Sequence, residues 1–257
     1  MAKAKARAQG IYCVSNTKQL TLAWVMYSDD HNGSLPYNLV ANSKTAAKAS
    51  DPASAMQKNW ANNVLDWELS PDNTNSKAML DSGIGPYTSQ SAAVYRCPSD
   101  SVVSSLQQGV GWDSRVRSYS MNAMVGDAGS ATKAGFNENN PNYLQFFKYS
   151  SISRPTDIFV FVDEHPDSID DGYFLNKDDA PKWFNLPASY HDGAAAFSFA
   201  DGHSEIHIWR GTAIKKSPNC PQGLTSLPTA LRGNDLKDFI WVLSGMSVER
   251  TSEGYHY

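Results

Sequence analysis

No run of about eighteen apolar residues occurs in the 257-residue chain, so no segment reads as a membrane-spanning helix or as the apolar heart of a signal peptide. An excess of positive charge is missing as well: 22 Lys and Arg stand against 26 Asp and Glu, a net charge of -4 at pH 7. No global basic field exists to attract nucleic acid or an anionic membrane. The basic residues that cluster are Lys3, Lys5 and Arg7, with Lys18 further on, and a solvated helix face accounts for them. Cysteine is scarce. Cys13, Cys97 and Cys220 allow one disulfide and a free thiol, or three thiols, and no two lie close enough in sequence to resemble a zinc-ligand pair. A Gly-x-Ser-x-Gly elbow, a Gly-rich phosphate loop and His-Glu-x-x-His are also absent, which removes the usual signatures of serine hydrolases, nucleotide enzymes and zinc proteases.

What is present is an ordinary hydrophobic fraction of 41% with a mean hydropathy of -0.45, a balance that predicts long polar connections between core elements. The first thirty residues read as one helix, with Ile11, Val14, Leu20, Trp24 and Tyr27 near helical spacing. Asn32 and Gly33 supply its stop, and Pro36 prevents continuation. Beyond it, Trp60 and Trp67 are anchors in a polar stretch, and Ala53 to Asp66 has the composition for a further helix. Residues 126–142 are rich in Gly, Asn and Ser and read as a flexible excursion. Leu236 to Leu243 suits either helix or strand, and Ser244 to Tyr257 reads as a frayed polar end.

Ile158 to Val162 is a continuous apolar run of strand length. After it comes an acidic segment, Asp163, Glu164, Asp167, Asp170 and Asp171, ahead of Gly172. Between Ala194 and Trp209, Asp201-Gly202 separates two alternating runs and predicts a hairpin with a two-residue type I′ turn. In that register Phe197 faces Ile206 and Phe199 faces Ser204. One face then carries Phe197, Phe199, Ile206 and Ile208, and a water-facing side carries Ser198, His203, Glu205, His207 and Trp209.

An ordered series of signatures links these segments. Cys13, Asn16, Lys18-Gln19-Leu20, Trp24, Tyr27, Asp30 and Leu35-Pro36 come first, then Gly85-Pro86-Tyr87, Tyr95 to Asp100 (Tyr-Arg-Cys-Pro-Ser-Asp) and Tyr119-Ser120-Met121-Asn122. Ile152 to Thr156, Phe161 to Glu164, His191-Asp192-Gly193 and Phe197 to His203 follow, with nine residues between His191 and Asp201. Each piece is weak alone; their order and spacing make the pattern specific. It resembles bacterial type IV pilin-like proteins with a prepilin-type N-terminus and a His-x9-Asp-Gly signature, relatives of type II secretion pseudopilins. Such proteins begin with a basic leader and about twenty apolar residues. The present sequence starts where that half-helix would end, so Met1 is expected to open a fragment.

The resemblance implies an α+β pilin-like fold, with a long N-terminal helix packed on an antiparallel sheet and large loop insertions. Residues 1–32 would be the helix and 33–257 the globular part, together one domain. It implies a structural subunit of a cell-envelope secretion or adhesion filament, periplasmic or extracellular, whose partners are other pilin-like subunits and the secretion assembly machinery. The membrane would be met only through the missing segment, nucleic acid not at all, and no catalytic residue is expected. A Cys13–Cys97 bridge tying helix to domain follows from the same resemblance and an oxidising envelope, with two buried thiols as the other reading. His191, Asp201, Gly202 and His203 would hold the hairpin, Asp201 in the turn and His191 by a bond to backbone.

Two metal sets remain open on residue type. Asp163, Asp167, Asp170 and Asp171 offer oxygen donors of the kind calcium takes, outside EF-hand spacing, with a solvated acidic turn as the alternative. His203, Glu205 and His207 alternate on one strand face as zinc ligands would, although open strand faces are routinely polar. Calcium is the one cofactor expected to be possible. Two other functions stay in view: an extracellular module binding carbohydrate or metal, using Trp60, Trp67, Trp112, Trp183 and Trp209, and an envelope hydrolase built on His191, Asp201 and His203.

Overall fold

The computed structural model describes residues 2–40, 57–220 and 227–250. Helix α1 (Ala2–Asp30) leads the chain. It ends as its composition predicts: Asn32 and Gly33 take φ of 55° and 78°, and the Gly33 N–H returns to the Ser28 carbonyl at 2.8 Å. Short helices α2 (Ser76–Leu80) and α3 (Ser105–Gly109) follow, the latter opened by a reciprocal Ser104–Gln107 capping box. Helix α4 (Gly233–Met246) closes the described chain.

Five strands form the main sheet in the order β5-β1-β4-β6-β7: β1 (Tyr119–Asn122), β4 (Phe159–Asp163), β5 (Tyr173–Phe174), β6 (Ala194–Phe199) and β7 (Ser204–Ile208). All pairings are antiparallel except β1 with β5. A two-stranded ribbon, β2 (Thr132–Lys133) with β3 (Phe136–Asn137), stands apart. The architecture is α+β, as expected.

Both faces of the sheet are covered. Helix α1 lies across β4, β6 and β7, where Cys13, Leu20, Ala23, Trp24 and Tyr27 pack with Tyr119, Phe161 and Ala196. On the opposite face Phe239, Val242 and Met246 of α4 pack with Phe159, Phe197, Phe199 and Trp209. A bulge in the β4–β6 pairing between Phe159 and Phe161 lets these two residues serve opposite layers, since an extra residue resets the alternation. Phe159 meets Phe197 on the α4 side, whereas Phe161 meets Trp60 on the α1 side.

The hairpin register differs from the expected one by a residue. Phe197 pairs with Glu205, Ser198 with Ser204 and Ala196 with Ile206. The Phe199 N–H bonds the His203 carbonyl, so the loop has three residues, Ala200 to Gly202, and Gly202 takes the left-handed position at φ 91°. The consequence is an exchange of faces. Phe197 and Phe199 share a side with His203, Glu205, His207 and Trp209, while Ile208 is 68% exposed on the edge strand. The expected half-open sheet is also corrected, because β6 is buried along its whole length under α1 and α4.

Three further expectations change. Residues 57–66 contain no helix, and 53–56 lie outside the described residues. The 126–142 segment is anchored, not loose: Asn137 Nδ2 reaches the Ala123 carbonyl, Gln145 Oε1 and Tyr173 Oη. Past α4 the Leu144 N–H bonds the Val248 carbonyl and Arg250 N–H the Asn142 carbonyl, so 247–250 is tied down; the remainder of the expected frayed end, 251–257, lies outside the described residues.

Candidate functional site

Four buried side chains converge where α1 meets the sheet: Cys13, Cys97, Asp163 and His191. Local structure brings each one there. On α1, Gln9, Cys13 and Asn16 fall on one face by helical spacing. Gln9 Nε2 donates to the Pro98 carbonyl and Asn16 Nδ2 to the Arg96 carbonyl, both at 3.0 Å, so the helix grips residues 96–98 on both sides of Cys97. Cys13 and Cys97 form the expected disulfide. Asp163 ends β4 two residues after Phe161 and therefore points to the same α1 side. His191 lies just ahead of β6, with its ring beside Gly10 of α1.

The contacts among these groups are close. His191 Nε2 is 3.2 Å from Asp163 Oδ2 and 3.5 Å from Cys97 Sγ, and its Nδ1 is 3.5 Å from Ser99 Oγ. Asp163 Oδ2 also accepts the Ala196 N–H at 3.1 Å, while Oδ1 is buried without a partner among the described residues. Burial, the dominant influence, holds the Asp163 carboxyl above the ordinary carboxylate range against the opposing pull of His191. The ring of His191 thus bonds side chains, not the backbone group the sequence reading expected. A recess of ≈ 310 Å³ lined by Arg7, Gly10, Ile11, Val14, His191 and Ile206 opens above it.

Asp201 takes its expected place in the turn. Its Oδ1 accepts the His203 N–H at 3.1 Å and faces His203 Nδ1 at 2.6 Å, and the His203 ring stacks on Phe199 at 4.2 Å. His191 is committed elsewhere, to Asp163, Cys97 and Ser99, so the hydrolase trio is not assembled. His207 lies flat on Trp241 at 3.6 Å. Burial lowers its pKa, as expected of an imidazole occupied in packing.

The acidic segment is not gathered around a common point. Asp167 accepts the N–H groups of Asn219 and Cys220, and Asp171 Oδ1 accepts the Tyr173 N–H. The carbonyls of Asp170 and Asp171 are taken by Arg117 Nη2, whose guanidinium is buried and also bonds Asn63, Ser120 and the Tyr119 carbonyl. Among the described residues, the set within ligating reach of one another is Cys13, Cys97, Asp163 and His191, not the acidic loop or the His203, Glu205 and His207 row. Sequence reasoning missed this set as a whole because its members come from four distant segments. The tryptophans offered as a sugar platform are largely core: Trp60, Trp67, Trp183 and Trp209 are buried.

A second feature lies on the outside of α1. Ile11 is 72% exposed, Tyr12 67%, Leu22 59% and Met26 44%, and at 100° per residue these four fall within one arc of about 100°. The buried side chains Cys13, Leu20, Trp24 and Tyr27 occupy a different arc. The same arc also carries exposed Ser15, Gln19, Asp29 and Asp30, so the outer side of the helix is mixed, with apolar residues at Ile11 and Tyr12 and again at Leu22 and Met26.

Residues 2–145, more than half of the chain, match the family described as a protein of unknown function, DUF1559. The chain belongs to the DUF1559 family. No curated protein and no solved structure matches it. The DUF1559 match takes in α1, Cys13, Cys97 and β1; Asp163, at the end of β4, and His191, just ahead of β6, fall beyond it.

Proposed function

We propose that this DUF1559 chain is a structural, pilin-like subunit of a cell-envelope filament, and that α1 of one copy pairs with α1 of a second. The observation that carries the reading is the outward apolar arc of Ile11, Tyr12, Leu22 and Met26 on a helix whose inward arc is already satisfied. Scattered apolar residues on a surface need no explanation, but two exposed apolar pairs on one side of a long helix, Ile11 with Tyr12 and Leu22 with Met26, separated by uncharged Ser15 and Gln19, are what a packed helix partner covers. The Cys13–Cys97 disulfide suits an oxidising compartment outside the cytoplasm. Other pilin-like subunits and a secretion assembly machinery are the partners proposed. The burial of Trp60, Trp67, Trp183 and Trp209, four of the five tryptophans a carbohydrate platform would use, removes its main support.

Sedimentation velocity over a concentration series tests the pairing. Wild type is expected to self-associate, while Ile11→Glu and Leu22→Glu remain monomeric with unchanged helix content and melting temperature. A wild type that stays monomeric throughout, or association that survives both substitutions, overturns the reading.

A further inference from the structure

We propose that, when reduced to thiols, Cys13 and Cys97 bind one divalent cation of the zinc class together with Asp163 and His191. The donor atoms are two sulfurs, one imidazole nitrogen and one carboxylate oxygen, all within 4.8 Å of one another. Ligand atoms about a tetrahedral zinc, with bonds near 2.0 to 2.3 Å, are spaced by about 3.3 to 3.8 Å. The His191 Nε2 to Asp163 Oδ2 and Cys97 Sγ separations, 3.2 and 3.5 Å, fall close to that spacing. The mixed sulfur and nitrogen set favours zinc over calcium or magnesium, which prefer all-oxygen surroundings.

The surroundings fit the same role. With its proton on Nδ1, His191 donates to Ser99 Oγ and turns the Nε2 lone pair toward the other three donors, the outer-sphere arrangement that orients a ligating imidazole. The Ser99 N–H points at Cys97 Sγ at 3.4 Å and the Ala196 N–H at Asp163 Oδ2, so two amide dipoles offset the anionic charge of the ligands. Asp163 Oδ1, buried with no hydrogen-bond partner among the described residues, carries lone pairs whose desolvation is uncompensated. A cation in the cluster would supply that compensation. The recess over His191 gives the entry path such a site needs.

The disulfide and the metal site are alternative states of one sulfur pair. A dithiol reductant cleaves the Cys13–Cys97 bond and is itself oxidised to a disulfide, leaving two thiols. Cation binding then displaces two protons to solvent as both sulfurs become thiolate ligands. In either state α1 stays fastened to the domain, so this proposal stands independently of helix pairing between copies.

The test uses the full chain carrying Cys220→Ser, which removes the third thiol, with Co²⁺ alone as the probe under anaerobic conditions. Reduced protein is expected to take up one equivalent, with sulfur-to-cobalt charge-transfer absorption and the visible bands of tetrahedral cobalt. The oxidised protein is expected to show neither, and His191→Gln and Asp163→Asn to lose at least tenfold in affinity. Should reduction unfold the chain, Zn²⁺ is expected to restore its helical circular dichroism in the Cys220→Ser protein and not in the His191→Gln variant. Reduced protein with no cobalt–sulfur absorption, a spectrum unaffected by both ligand substitutions, or no recovery by Zn²⁺ overturns the proposal.

Discussion

Glu164 follows the last residue of β4 and is buried. Its Oε1 accepts from Ser168 Oγ at 2.8 Å and Asn185 Nδ2 at 2.7 Å. Burial is the largest influence on its acidity and raises its pKa from 4.5 to about 7, with Asp170 adding to the shift and the neighbouring hydroxyls and Arg117 opposing it. The sign follows from linkage: the folded chain holds this proton more tightly than the unfolded chain does. Stability from the protonated group is therefore complete below pH 4.5 and is lost as pH rises through about 7. Glu164→Gln keeps the Oε1 acceptor and removes the ionisation, so it is expected to stabilise the protein at pH 8 by about 3 kcal/mol and to leave it little changed at pH 4. Urea unfolding at the two pH values measures this, and equal effects at both would contradict the assigned burial of charge. Arg117 presents the complementary case. Burial lowers its pKa to about 10, with Glu164, Asp171 and Asp170 opposing the shift, and that value still lies well above neutral pH, so the guanidinium keeps its charge.

At the scale of elements, α1 is held to the sheet by packing, by a Thr21 Oγ1 to Ser198 Oγ bond of 2.7 Å, and by a disulfide spanning 84 residues of sequence. A loop of that length confines the unfolded chain by about 4 to 5 kcal/mol. The double substitution Cys13→Ser with Cys97→Ser is expected to lower unfolding free energy by that amount in guanidinium titration; an unchanged midpoint would show that the bridge does not constrain the unfolded chain. The helix and its stop were legible because a helical period sustained over about thirty residues and an Asn-Gly end are local signals. So was β4, as a bounded apolar run. The β6–β7 register was not, because a two-residue and a three-residue loop both accommodate Asp201-Gly202 and differ only in whether Ala200 joins the loop. That single residue moved Phe197 from the face of Ile206 to that of Glu205. The Cys-His-Asp cluster was legible only in part: the cysteine pair came through a family resemblance, whereas the approach of Asp163 and His191 depends on strand order, which no local pattern encodes. The anchoring of 126–142 rests on side-chain amides reaching distant carbonyls and was hidden for the same reason.

At the scale of the whole molecule, the described chain is a sheet with α4 on one side and α1 on the other, and α1 has an inner face committed to the sheet and an outer face that exposes Ile11, Tyr12, Leu22 and Met26. The division gives the helix two jobs in the proposed assembly. Its inner arc orders the subunit, and its outer arc is free to order a neighbour. Membership of the DUF1559 family fixes relationship and leaves activity open, so the claim of assembly rests on this geometry. The most direct test places a single reporter on the outer arc: Leu22→Cys in a Cys220→Ser background, with the native disulfide intact, exposed to a short thiol-reactive crosslinker. The account predicts dimers linked through position 22 at high yield, and none from a cysteine placed at exposed Lys77 on α2, away from the helix. Equal yields from both positions, or no dimer from position 22, would contradict pairing through α1.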